Sequence, residues 1–186
     1  MNKIGIFFGT DTGTTRLIAK KIAKSLGPEL VDKPLNVNRI EPGDMLKYDA
    51  LILGTPSYGE GIVPGISTGV TAGSWEEFLP QIENTDLSGK LIALYGLGDQ
   101  EKYSQHFADA LMQLYTTLKN QGACIIGEWS TDGYTFEYSK SVVDNKFVGL
   151  VIDNSYQGLL TDERIRNWLE QIKPLLLDKL NTAERN

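Results

Sequence analysis

Four threonines lie within residues 10–15, a segment that leads from an apolar run into a helical pattern. Threonine hydroxyls and the amides of a helix N-terminus can together surround a phosphate with hydrogen-bond donors. The segment contains no Lys or Arg, so it lacks the lysine of a nucleoside-triphosphate loop. A monophosphate held by neutral hydrogen bonds is therefore the predicted ligand. The residues predicted to hold it are Thr10, Asp11, Thr12, Gly13, Thr14 and Thr15.

Two further loops are rich in glycine, and each carries one tyrosine. Tyr58 lies in residues 54–61 and Tyr103 in residues 96–103, and both loops follow an apolar run. A planar aromatic cofactor needs flat faces above and below it, and small residues that let backbone amides reach its edge. A lone tyrosine in a loop is more often a packing residue. Combined with the phosphate segment, the two loops predict a ligand that has both a phosphate and a planar ring.

The elements that must position these loops alternate between strands and helices. Apolar runs predict strands at residues 4–8, 35–40, 50–53, 91–95 and 124–126, and helical periodicity appears at 14–26, 107–120 and 162–177. This order predicts an α/β fold with a doubly wound five-stranded parallel sheet and helices on both faces. The carboxyl ends of the strands then meet at one edge, where ligands bind in such sheets.

Three features of the chain depart from the simplest plan. Residues 128–146 form a polar and aromatic excursion, and the strand-like run 147–152 that follows is interpreted as part of an insertion near the fifth strand. Pro174 is expected to end or kink the last helix. Cys124 lies in a buried-strand pattern and is predicted to belong to the core.

Length and charge bound the remaining possibilities. The 186 residues predict one domain at 1–180 and a frayed polar tail at 181–186. The net charge of −6 argues against nucleic acid as a partner, because phosphate binding requires a basic surface. One Cys and one His make a structural zinc site improbable, and no apolar run reaches the length of a membrane span. A monomeric cytoplasmic protein without membrane insertion is expected.

Several short motifs together resemble the flavodoxins over nearly the whole chain. They are Thr-x-Thr-Gly-x-Thr at 10–15, Leu-Gly-Thr-Pro at 53–56, Gly-Leu-Gly-Asp-Gln at 96–100, Phe-Val-Gly-Leu at 147–150 and Thr-Asp-Glu-Arg at 161–164. The excursion at 128–146 resembles the insertion of the long-chain class. Within the loop at 65–75, the segment 65–73 that precedes Ser74 and the Trp-Glu-Glu-Phe run resembles the extra segment of flavodoxins associated with nitrogen fixation.

The resemblance implies a flavodoxin-like fold that binds FMN noncovalently. It implies a low-potential one-electron carrier that uses the semiquinone/hydroquinone couple and has no substrate turnover of its own. An upstream oxidoreductase would reduce it, and the nitrogenase iron protein would accept its electrons. Glu60, Asp99 and Glu101 would place negative charge near the ring and disfavour its second reduction.

The resemblance also assigns roles to individual residues. Tyr58 would stack on the inner face of the ring and Tyr103 on the outer face. A peptide flip at Gly59 would give the reduced ring a carbonyl acceptor. Ser155 would bond the ribityl chain, although relatives often carry a carboxylate there. The residues implied to contact the ring and ribityl parts are Thr55, Pro56, Ser57, Tyr58, Gly59, Gly96, Leu97, Gly98, Asp99, Tyr103, His106 and Ser155.

His106 stands where relatives often have Asn, and two interpretations are open. It is either a tolerated surface substitution or a group near the pyrimidine edge that makes the potential depend on pH. The main alternative for the whole protein is an FMN-dependent NAD(P)H reductase of quinones or similar small acceptors. A phosphorylated receiver domain is excluded, because strands 1 and 3 end in Phe8-Gly9 and Leu53-Gly54 rather than in acidic residues.

Overall fold

A computed structural model describes residues 2–10 and 12–183 of the chain. In the described residues the strands, in chain order, are β1 (Ile4–Phe8), β2 (Leu35–Asn36), β3 (Ala50–Pro56), β4 (Leu91–Leu97), β5 (Cys124–Ile126), β6 (Trp129–Ser130), β7 (Val142–Val143), β8 (Lys146–Phe147) and β9 (Leu150–Ile152). The main sheet is parallel and has the order β2-β1-β3-β4-β5, so the predicted doubly wound α/β fold is confirmed.

The fifth strand of this sheet is divided into two halves. β5 pairs with the first part of β4, where Leu91 lies opposite Cys124, and β9 pairs with its last part, where Leu97 lies opposite Ile152. The prediction that residues 147–152 belong to the insertion is therefore wrong for Leu150–Ile152. The insertion interrupts the strand, and its own β6, β7 and β8 form a small antiparallel sheet.

The helices cover both faces of the sheet, as predicted. They are α1 (Thr14–Leu26), α2 (Pro42–Leu46), α3 (Trp75–Ile82), α4 (Ala110–Asn120) and α5 (Thr161–Ala183). One buried cluster joins α3 and α4 to the sheet around Trp75 and Phe107, and the other joins α1 and α5 to it around Ile22 and Trp168. Both cores are apolar because the central strands β1, β3 and β4 are covered by helices on both faces of the sheet.

Local boundaries differ from the sequence predictions at several points. The second strand ends at Asn36, and Val37–Arg39 form a 3₁₀ turn capped by the Asn36 side chain. The fourth helix begins at Ala110 rather than at residue 107. The last helix runs through Pro174 to Ala183, so Pro174 does not end it, and the helix includes the first three residues of the predicted tail. Residues 184–186 lie outside the described part of the chain.

Cys124 is exposed, so its predicted place in the core is wrong. It begins β5 at the edge of the sheet, where Ile125 and Ile126 are also only partly buried. An edge strand lacks a neighbour on one side, and the apolar pattern alone does not reveal this. Among the helices that the structure describes, none combines the length and the apolar character needed to cross a membrane.

Candidate functional site

The loops at the carboxyl edge of the sheet enclose a cleft of about 230 Å³. Its wall is formed by the loops after β1, β3, β4 and β9, which come from four separate parts of the sequence. Predicted site residues that line it are Thr12, Thr14, Thr15, Pro56, Ser57, Tyr58, Gly59, Leu97, Gly98, Asp99, Tyr103, His106 and Ser155. The structure thus brings together the threonine segment and both tyrosine loops.

The threonine end of the cleft is built on the start of α1. The amide of Gly13 donates to Thr10 Oγ1 at 3.0 Å, and this closes the turn that precedes the helix. Amides in the first turn of a helix have no acceptor within the helix and are available to a ligand. Thr15 is almost fully buried, and its carbonyl oxygen accepts the hydroxyl of the buried Tyr95 at 3.0 Å. The sheet therefore holds the first turn of α1 in place.

The chemistry of this end suits an anion of low charge. Among the described residues that line the cleft there is no Lys or Arg. Hydroxyls, helix amides and the positive end of the helix dipole supply the attraction instead. Such a donor set fits a terminal monophosphate and does not supply the countercharges that a triphosphate requires. Asp11, which was predicted to belong to this segment, lies outside the described residues.

Tyr58 and Gly59 lie in a tight turn after β3. Tyr58 and Ile62 exchange two backbone hydrogen bonds of 3.0 Å, which closes a small hairpin over the cleft. Gly59 has φ +51°, a conformation that costs a residue with a side chain about 1 kcal/mol or more. Ser57 ties this turn to α4, because its hydroxyl accepts the amide of Ala110 at 3.1 Å.

The loop after β4 forms the opposite wall. Asp99 caps the turn that carries Tyr103: its carboxylate accepts the Lys102 amide at 2.8 Å, and its carbonyl accepts the Tyr103 amide at 2.9 Å. Ala108 also lines the cleft and has φ +54°, which is rare for a residue other than glycine. No motif or residue pattern predicted Ala108 as a site residue. Backbone strain of this kind is frequent where a loop is shaped for a ligand.

The loop after β9 supplies the third part of the wall. Asp153 is fully buried, and its carboxylate accepts the amides of Gln100 at 3.0 Å and Tyr156 at 2.9 Å. It therefore fixes this loop against the loop after β4. Asn154 lines the cleft beside Ser155, and it was not predicted. Its position directly before Ser155, in a loop at the carboxyl edge, was the available signal.

The insertion packs behind the loop after β4 and stays outside the cleft. Hydroxyls of Ser139 and Ser141 donate to the carbonyls of Phe107 and Ala108 at 2.6 and 2.8 Å. The amide of Lys140 donates to Asp109 Oδ1 at 2.6 Å. The insertion thus supports the residues that connect the loop to α4.

Four of the predicted residues that the structure describes do not line the cleft. Thr10 and Gly13 hold the turn before α1. Thr55 is fully buried and donates to the carbonyl of Pro56 at 2.9 Å, and Gly96 lies in β4 against Leu111. Glu60 and Glu101 are exposed residues of the two tyrosine loops, whereas Asp99 is the acidic residue that lines the cleft.

Comparison with known proteins gives a consistent result. A family model described as Flavodoxin matches residues 6–168. A flavodoxin of Klebsiella pneumoniae is 46% identical over 177 residues, which cover 95% of this chain and 100% of that protein. Flavodoxin 1 of Escherichia coli (strain K12) is 43% identical over 183 residues, which cover 96% and 98% respectively.

A solved structure agrees with the fold. The crystal structure of Fusobacterium nucleatum flavodoxin bound to flavin mononucleotide matches with a TM-score of 0.82 at 33% identity, covering 94% of this chain and 98% of that one. The family-model match at residues 6–168 spans the threonine segment, both tyrosine loops and the divided fifth strand. The chain therefore belongs to the flavodoxin family.

Proposed function

We propose that this chain binds FMN in the cleft and carries one electron at a time between protein partners. The observation that carries the proposal is the single cleft that joins a phosphate segment without cations to two tyrosine-bearing loops. Membership of the flavodoxin family supports it. So does the related Fusobacterium nucleatum protein, whose structure contains flavin mononucleotide.

The two ends of the cleft bind different parts of the cofactor. Thr12, Thr14 and Thr15, with the first amides of α1, hold the phosphate. Tyr58 and Tyr103 flank the ring. When bound, FMN supplies a ring that accepts and releases single electrons. The carboxylate of Asp99 places a negative charge at the ring end, which disfavours any added negative charge there and keeps the potential low.

Flavin titration and stepwise reduction test this function. Apoprotein should quench FMN fluorescence at a stoichiometry of one, and gradual reduction should produce the long-wavelength absorbance of a one-electron-reduced flavin. Direct two-electron bleaching accompanied by rapid NAD(P)H oxidation would instead support the reductase alternative. Failure to bind FMN would contradict both functions.

We extend the proposal to the nitrogenase iron protein as the acceptor, with an oxidoreductase as the upstream donor. The segment 65–73 supports it, since it resembles the extra segment of flavodoxins associated with nitrogen fixation. Two hydrogen bonds of 2.9 Å hold the start of this segment against α3: the amide of Ile66 donates to the Glu77 carboxylate, and the amide of Ser67 donates to the Glu76 carboxylate. Ile66 is nevertheless 62% exposed.

The rate of electron transfer from reduced, FMN-loaded protein to the nitrogenase iron protein tests this acceptor. Ile66→Asp should lower the rate and leave FMN affinity unchanged. Leu175→Asp is the matched control, because Leu175 is 49% exposed on α5, on the other face of the sheet. Equal rates for both variants and the wild type would rule out a role for segment 65–73. No transfer from the wild type would rule out the acceptor itself.

A further inference from the structure

Asp109 is a buried carboxylate that the FMN proposal does not use. Its side chain has no solvent exposure, and it lies at the start of α4, behind the wall of the cleft. Two contacts compensate its burial: Oδ1 accepts the Lys140 amide at 2.6 Å, and Oδ2 lies 3.3 Å from Nδ1 of His106. Gly61 packs so closely that an added Cβ would lie 2.2 Å from Asp109 Cβ.

These contacts determine how the imidazole of His106 is presented. An ionised carboxylate accepts hydrogen bonds only, so Nδ1 of His106 must carry a proton to bond it. The Lys140 amide fixes the other oxygen, and Gly61 packs against the Asp109 side chain. His106 itself lines the cleft with 38% of its side chain exposed. The second ring nitrogen, Nε2, therefore remains for the cleft.

We propose that Asp109 is a positioning residue that holds His106 in the Nδ1–H form, so that proton binding at Nε2 is coupled to reduction at the ring end of the cleft. This rests on the proposed FMN function. The insertion takes part through the Lys140 amide. With neutral His106, Nε2 offers an acceptor, and after protonation it offers a donor and a positive charge.

Other charged and titratable groups surround His106. Asp99 and Tyr103, from the loop after β4, and Tyr58, from the loop after β3, line the same cleft. On the insertion side lie Lys140 and Glu137, whose carboxylate accepts the side chain of Gln105 at 2.9 Å. Protonated His106 adds a positive charge where the second electron adds a negative one. The second reduction should therefore become easier as the pH falls.

Nuclear magnetic resonance gives a test that needs no bound flavin. His106 is the only histidine of the chain, so its ring ¹⁵N signals are unambiguous. In wild-type apoprotein above neutral pH we expect the Nδ1–H tautomer. In Asp109→Asn the oxygen must still accept the Lys140 amide, so the amide nitrogen faces His106 and donates to Nδ1. The tautomer should then reverse to Nε2–H. Glu137→Gln removes a nearby charge without this contact and should keep the wild-type tautomer.

Potentiometry over a pH series tests the coupling. Across the pH series, the ratio of fully to half-reduced flavin at fixed potential should change up to tenfold more per pH unit in wild type than in His106→Asn. Tenfold corresponds to 59 mV for one electron. Parallel curves for the two proteins, or an Nε2–H tautomer in the wild type, would overturn the proposal. Should Asp109→Asn not fold, the wild-type tautomer and the His106→Asn curve still decide it. Absence of FMN binding would refute the proposed function, whereas the tautomer of the apoprotein would still report on Asp109.

Discussion

Tyr95→Phe tests whether the sheet holds the phosphate end of the cleft. Tyr95 lies in β4, is fully buried, and donates its hydroxyl to the carbonyl of Thr15, which is 80 residues away in sequence. The substitution removes one oxygen atom and leaves the ring in place. It therefore isolates a single contact between the core and the first turn of α1.

The expected loss of stability is about 1 kcal/mol. A neutral hydrogen bond contributes roughly 0.5–1.5 kcal/mol net. The cost stays in that range because the Thr15 carbonyl can still accept the amide four residues on in α1, so no buried acceptor is left without a partner. The void is only one oxygen atom in size. A loosened first turn should also weaken phosphate binding by up to about 1 kcal/mol, or roughly fivefold in Kd.

Urea unfolding and two flavin titrations measure these effects. The Kd for FMN should rise, whereas the Kd for riboflavin, which lacks the phosphate, should stay the same. Tyr156→Phe is the control, because it deletes the same atom from a side chain that is 57% exposed. Unchanged stability, or equal weakening of FMN and riboflavin, would refute the idea that Tyr95 acts through Thr15.

Three further predictions follow from single residues. Gly59→Ala should lower the half-reduced fraction of the flavin in redox titration, because the φ of +51° at this position disfavours Ala by about 1 kcal/mol. The effect would be conformational and not steric, since no heavy atom lies within 4 Å of the new Cβ. Gly69→Ala is the control: Gly69 has φ +91° and equally open space, and its substitution should leave the half-reduced fraction unchanged. Burial raises the pKa of Tyr134 to about 12 and also raises that of Tyr95. Because unfolded tyrosine ionises near pH 10, the free energy of unfolding should fall between about pH 10 and 12, and Tyr134→Phe should flatten that fall in urea titrations; a pH-independent value would contradict it. Native Cys124, being exposed, should react with a maleimide without unfolding, and protection of the thiol in native buffer would contradict its placement at the sheet edge.

The cleft could be predicted without knowing the strand order. All carboxyl ends of a parallel sheet meet at one edge, so the threonine segment and the two tyrosine loops had to lie near each other whatever their neighbours. Helical periodicity likewise placed α1 at its observed bounds, from Thr14 to Leu26. Asn154 was not predicted to line the cleft, although its loop was, because the resemblance assigned the ribityl contact in that loop to Ser155 alone.

Other errors came from information that a local pattern does not contain. An apolar run looks the same in a central strand and in an edge strand, so Cys124 was predicted to be buried and is exposed. The run 147–152 has a strand pattern, but only pairing shows that Leu150–Ile152 completes the fifth strand beside β4. Pro174 lies within a helix whose apolar face is held against the sheet by Ile172 and Leu176.

The sequence by itself determined the alternation of strands and helices, the phosphate segment and the tyrosine loops, because residue type and spacing set these over a few neighbouring positions. Only the tertiary structure decided that the insertion divides the fifth strand and that Asp109 stands behind His106. Asp109 belongs to no motif, and its carboxylate is held by Lys140, 31 residues further along the chain. Such contacts depend on which distant segments the buried core brings together, and no short-range periodicity encodes that choice.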